Sequence, residues 1–254
     1  LAAAAHARIR GDLGLAHPVE VAVLLLTPRS PAATREEWSR RLPAWIAGAA
    51  VPAEQFVVVR VAPGQTPQGL EPLLAHELTH VILKADYPGH DGWPLWFREG
   101  LAMRESRTEG LREQLTLSAA ALFGRMLPLA ELAVRFPDDE ARARLAYAES
   151  AGFLAFLDAE FGRTRFRILL GELRRHGFEE SFRTAYGVGI GTAEGRWLRR
   201  VNRPLASLPA LTSDAALWLA VTALFLVAIV VRQVRSRRMR ERWNEEEEED
   251  GKID

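Results

Sequence analysis

The pentad His76-Glu77-Leu78-Thr79-His80 constrains this chain more than any other stretch. Residues four apart lie on one face of an α-helix, one turn above each other. Two imidazoles in that relation can grip one ion, and H-E-x-x-H is a spacing that suits zinc. The pattern predicts a helix through residues 76–80 with its histidine face turned inward. Glu77 falls where it can take a proton from water activated by such an ion. An amphipathic helix with two structural histidines and a surface glutamate would spell the same string. A second element has to separate the two readings.

That element is Trp96-Phe97-Arg98-Glu99-Gly100-Leu101-Ala102. A zinc held by two histidines needs a third protein ligand, with the fourth position left to water. Residues 81–98 separate His80 from Glu99, enough for one helix to end, a loop to turn at Pro88-Gly89 and Gly92, and a second helix to return. Trp96 and Phe97 would bury the returning helix, and Gly100 and Ala102 are small enough for close helix–helix approach. Three other residues compete with Glu99. Asp86 has the metzincin spacing, but Leu83 stands where that pattern needs a glycine to break the helix. His90 reads as a solvated loop histidine. Glu105, about two turns beyond Glu99, is expected to face water.

Together, H-E-x-x-H, the eighteen-residue spacer and W-x-x-E-G-x-A resemble the gluzincin metallopeptidases, above all their small peptidase-MA-like domains. The likeness covers roughly residues 18–203. It implies an α+β, thermolysin-like fold: a small N-terminal mixed sheet, the zinc helix, then a helical half. It implies zinc on His76, His80 and Glu99, with Glu77 as general base. Tyr147, within Tyr147-Ala148-Glu149-Ser150, is similar to a gluzincin tyrosine that donates a hydrogen bond to the oxyanion. Tyr186 matches an aromatic kept for packing. In some gluzincins an acidic residue one turn after the third ligand orients a histidine, but Met103 occupies that place here.

Local patterns supply the rest. Val19 to Leu26 and Gln55 to Val61 read as strands, and Arg35 to Trp45 as a helix between them. Gly64 to Gly69 is a turn-rich approach to the zinc helix, with Pro72 expected in its first turn. From Leu111 the pattern is helical, with Asp138 to Phe161 the longest stretch. The related aminopeptidases carry a Gly-x-Met-Glu-Asn strand whose glutamate binds the substrate amine. Gln55 to Gly64 has no such glutamate, which favours an endopeptidase.

Thirty-three basic residues balance 33 acidic ones, so no global field argues for nucleic acid. With no cysteine, disulfides and thiol catalysis are excluded. The ends point to a membrane. Ala215 to Val231 is uncharged and apolar, at the short limit for a span, and is followed by six arginines between Arg232 and Arg242. A buried core helix, the other reading, would leave those arginines beside the core. Leu1 to Ala7 reads either as the end of a secretory signal, with Ala5-His6-Ala7 in small-x-small form, or as an Ala-rich disordered start. The expected division is an N-terminal segment 1–17, a zinc metallopeptidase domain 18–203, a linker 204–213, a membrane helix 214–232 and a tail 233–254. That topology puts the zinc domain outside the cytoplasm and the tail inside, with peptide or protein as substrate. A zinc-holding but idle ectodomain, acting as a membrane-anchored binding module, is the rival from another class. Nothing here fixes an oligomeric state.

Overall fold

The computed structural model describes residues 1–15, 19–42, 47–108, 110–202 and 225. It begins with helix α1 (Ala2–Leu13), whose Ala5, Ile9 and Leu13 recur at four-residue spacing and are all buried. Gly14 ends it in the left-handed conformation, φ 67°, that only glycine adopts without strain. The sequence reading set residues 1–17 apart from the folded domain, as a signal remnant or a disordered start. Instead α1 packs on the helix of the H-E-x-x-H pentad and belongs to the same unit, Leu1–Asn202. Its apolar stripe is what draws it in.

The sheet follows. Strand β1 (Ala22–Leu26) leads through helix α2 (Ala32–Arg41) to β2 (Gly48–Val51) and β3 (Phe56–Arg60). Their order is β1-β3-β2, with β1 parallel and β2 antiparallel to β3, so the sheet is mixed. β3 is central, and Val57, Val58 and Val59 are fully buried. Successive side chains alternate across a strand. Val57 and Val59 enter the main core, whereas Val58 joins Leu26 and Trp38 on the other face. β1, β3 and α2 stand close to where the sequence puts them; residues 43–45 of the expected helix lie outside the described residues. β2 has no counterpart in the sequence reading, and it proves to be the strand nearest the site.

Helix α3 (Pro67–Asp86) carries the pentad. Thr66 caps it, its hydroxyl accepting from the Gly69 N–H at 3.3 Å, and Pro67 takes the first helical position. Pro72, expected in the first turn, therefore lies inside the helix, because the Thr66-Pro67 start signal comes a turn earlier. A 3-10 turn over His90–Gly92 leads to α4 (Leu95–Ser106). Helices α5 (Leu111–Leu122), α6 (Leu129–Leu132), α7 (Glu140–Phe161), α8 (Arg163–Glu172), α9 (Phe178–Tyr186) and α10 (Ile190–Val201) complete the helical half.

α4 is held between α3 and α7. A Cβ on Gly100 would lie 2.7 Å from the Ser150 carbonyl oxygen, so the backbones of α4 and α7 meet there at a distance only glycine allows. Trp96 and Phe97 are buried against Phe153 and Phe178, with ring centroids 5.2 Å apart for Trp96–Phe153 and 4.8 Å for Phe97–Phe178. Each such ring contributes on the order of 1.5–3 kcal/mol by leaving water. Tyr186 packs between Phe161 and Phe182, in the structural role expected of it. The result is mostly helical with one small mixed sheet. Among the described residues no helix is long and apolar enough to cross a membrane. Apart from Phe225, the run 215–231 and the tail lie outside the described residues, within a second unit, Arg203–Asp254.

Two glutamates, Glu149 fully buried and Glu194 partly so, fix the entry to α6: Glu149 accepts from the Leu127 N–H at 2.9 Å and Glu194 from the Leu129 N–H at 2.8 Å. Burial pushes the Glu149 carboxyl up to about 8, with the nearby Glu194 adding to the effect against the Leu127 hydrogen bond. A carboxyl that titrates higher when folded holds its proton more tightly in the folded state. Its contribution to stability is full below the unfolded value near 4.5 and is lost as pH rises toward 8. Glu149→Gln keeps the acceptor and removes the titration. Denaturant unfolding from pH 5 to pH 9 should show the variant gaining on wild type by on the order of a few kcal/mol. Parallel curves would contradict the assignment.

Candidate metal centre

α3 and α4 cross so that three side chains meet. His76 Nε2 and His80 Nε2 are 3.3 Å apart, and Glu99 Oε2 lies 3.4 Å from the first and 3.6 Å from the second. A tetrahedral zinc with bonds of about 2.0–2.1 Å separates any two ligands by about 3.3–3.4 Å. The donor triangle is therefore the right size for that ion, and two imidazoles with one carboxylate are donors that zinc accepts. Among the described residues this is the one group of three such side chains close enough to share an ion. All three are partly buried.

The charges on the three are interdependent. Burial opposes charge on Glu99, yet the attraction of His80 and His76 outweighs it and holds the carboxyl far below its usual range. Burial likewise opposes charge on His80, and Glu99, with help from Glu77, raises it nonetheless. A metal ligand must give up its proton, so metal binding competes with protonation of His80.

Glu77 sits beside the triangle without joining it. Its side chain is buried, and that burial raises its carboxyl against the pull of His76 and His80. The Ala50 N–H of β2 donates to it, and a Cβ on Gly48 would come within 3.2 Å of its Cγ. The Gly-Ala-Ala-Val strand is thus small where it meets Glu77, and its backbone orients that side chain. Tyr147 reaches the same cleft from α7, its ring 6.3 Å from that of His76 and held edge-on by Phe136 at 5.0 Å. Burial, then the Glu99 and Glu77 carboxylates, raise its phenol above the usual range, so it stays a donor. The cleft, about 660 Å³, is further lined by Gly48, Leu73 and Met103.

The competing ligands lie elsewhere. Asp86 pairs with Arg174, which also covers the Tyr87 ring. Glu105, expected to face water, is buried, because α1 lays Arg8 over it: Arg8 Nη2 donates to the Glu105 carbonyl at 2.7 Å, and Arg104 pairs with its carboxylate. His90, expected to be solvated, is buried against Trp93, ring centroids 5.1 Å apart. Burial, then the Arg98 and His80 charges, lowers it to about 4. The burial of Glu105 was not visible locally, since Arg8 comes from the far end of the chain.

Residues 40–203 match the family model of the peptidase MA superfamily. The chain belongs to that superfamily. Peptidase MA domains are typically zinc-dependent, in keeping with the His-His-Glu cluster, and membership suggests a metallopeptidase. The match spans α3 to α10, so every residue of the site lies within it, whereas α1 and β1 fall outside. No curated protein and no solved structure matches the chain.

The site predicts one zinc per chain in the full-length protein. Metal analysis of His80→Ala and Glu99→Ala should find it lost, and of Asp86→Ala retained. Full zinc in Glu99→Ala with loss from Asp86→Ala would exchange the third ligand.

Proposed function

We propose that this peptidase MA protein is a gluzincin-type zinc endopeptidase, anchored in a membrane with its catalytic domain outside the cytoplasm. The observation that carries the catalytic part is the donor triangle with Glu77 and Tyr147 at its rim. His76, His80 and Glu99 would hold the ion, which supplies Lewis acidity, acidifying water and polarising the scissile carbonyl. Glu77 accepts a proton and passes it to the leaving amine; raised by burial and held by Ala50, it is suited to both halves of that task. Tyr147 donates its O–H to the oxygen on which negative charge develops.

The endopeptidase reading rests on β2. Among the described residues it is an edge strand, paired only with β3, and it borders the cleft. An extended substrate can add to such an edge by main-chain hydrogen bonds. Neither Gln55 to Gly64 nor β2 itself carries a glutamate to hold a free α-amine. The anchor rests on the apolar run 215–231, and its orientation on the arginines that follow.

Glu77→Gln should keep zinc and fold while losing about 10²–10⁴-fold in peptide cleavage at matched zinc occupancy. Tyr147→Phe should lose about 10²–10³-fold. Equal cleavage by wild type and Glu77→Gln would refute the mechanism, and inertness of zinc-loaded wild type toward a broad peptide mixture would favour a binding module. For topology, protease added to intact cells should digest the zinc domain and spare an epitope after Asp254. The reverse pattern would invert the orientation.

A further inference from the structure

The cleft continues past the metal centre into a second lobe of about 440 Å³, sharing Glu77, His80 and Glu99 with the first. The two lobes differ in charge. The first is lined by no lysine or arginine, whereas Lys84, His90, Asp91 and Arg98 line the second. Most of that charge is already matched. Lys84 pairs with Asp91, Glu99 is engaged by the two histidines, and Glu77 accepts from Ala50. His90, lowered to about 4, is neutral at physiological pH.

Arg98 is different. Among the described residues no carboxylate lies within ion-pair distance of it, and its Nε is buried with no hydrogen-bond partner. A buried donor without an acceptor is unfavourable by the desolvation it has undergone, and more so in a charged group. The guanidinium is fixed beside the site because Arg98 precedes Glu99 on α4, between the buried Phe97 and the close contact at Gly100. Arg98 lines the lobe, and a planar guanidinium can match a carboxylate in two-point geometry.

We propose that Arg98 makes this lobe a carboxylate-binding subsite, selecting substrates with an acidic group on one side of the scissile bond. The proposal rests on the peptidase reading above and adds to it a substrate class. The carboxylate is that of an Asp or Glu side chain or of the substrate's own C-terminus. Both present the same group to the same fork. The lobe without basic residues predicts no such preference on the other side of the cut.

The test compares peptides of one sequence with the zinc-loaded full chain. One pair differs by Glu against Gln near the cut, scanned along both sides; another by a free C-terminus against an amide. Wild type should cleave the acidic member with kcat/KM roughly 10- to 100-fold higher, on one side only. The pair that shows the effect identifies the source of the carboxylate. Arg98→Gln should bring that ratio close to one, and Arg98→Lys should keep part of it, since charge survives without the fork. Equal cleavage of acidic and neutral members by wild type would overturn the proposal without any variant. So would a ratio that survives in Arg98→Gln. Calorimetric binding of the same pairs to zinc-loaded Glu77→Gln separates this from failure of the peptidase reading. A binding preference with no cleavage by wild type removes the enzyme and keeps the subsite, whereas cleavage with no preference keeps the enzyme and removes the subsite.

Discussion

Three atoms on two helices have to lie 3.3–3.6 Å from one another, and much of the domain can be understood as what keeps them there. Two of them come cheaply in conformational terms, because residues four apart on one helix are neighbours by geometry alone. The third does not. Glu99 meets the histidines only if α4 returns along α3 at one depth and one rotation. Trp96 and Phe97 anchor its first turn in aromatic packing, and Gly100 lets α7 press on it from behind. A rotation of α4 that removed Glu99 would also unseat those contacts.

The same packing places the chemistry around the ion. α7 supports α4 through Gly100 and presents Tyr147 one turn earlier, so Glu99 and Tyr147 are positioned by one contact. β2 reaches Glu77 through its backbone, and the Gly48 site shows why small residues suit that strand. Charge follows geometry. Glu99 is held ionised by the imidazoles while Glu77, buried beside the same pair, is raised. Two neighbouring carboxylates are thereby shifted in opposite directions, as the proposed roles of ligand and base require.

What could be read from sequence alone divides by range. The zinc helix and its two histidines are local periodicity, and Thr66-Pro67 was available as a start signal although Pro72 was given too much weight. Glu99 was legible because the spacer length and the Trp96-Phe97 pair limit where a returning helix can go. β2 was not: Gly-Ala-Ala-Val has little strand preference of its own, and it is a strand because β3 pairs with it. The burial of Glu105 escapes a local reading for a related reason, whereas His90 is covered from within its own loop. The cover over Glu105 depends on α1, and α1 had been set aside from the domain although Ala5, Ile9 and Leu13 carry a buried stripe. Arg98 stands beside Glu99 in the sequence, but its proposed role depends on its having no carboxylate partner among the described residues, which only the folded chain can reveal.

Zinc-edge anomalous diffraction from crystals of the zinc-loaded protein tests the centre most directly. The account predicts one strong peak about 2.0–2.2 Å from His76 Nε2, His80 Nε2 and a Glu99 carboxylate oxygen. A peak bound by His90 or Asp86 in place of Glu99, or no peak between the two histidines, would contradict it.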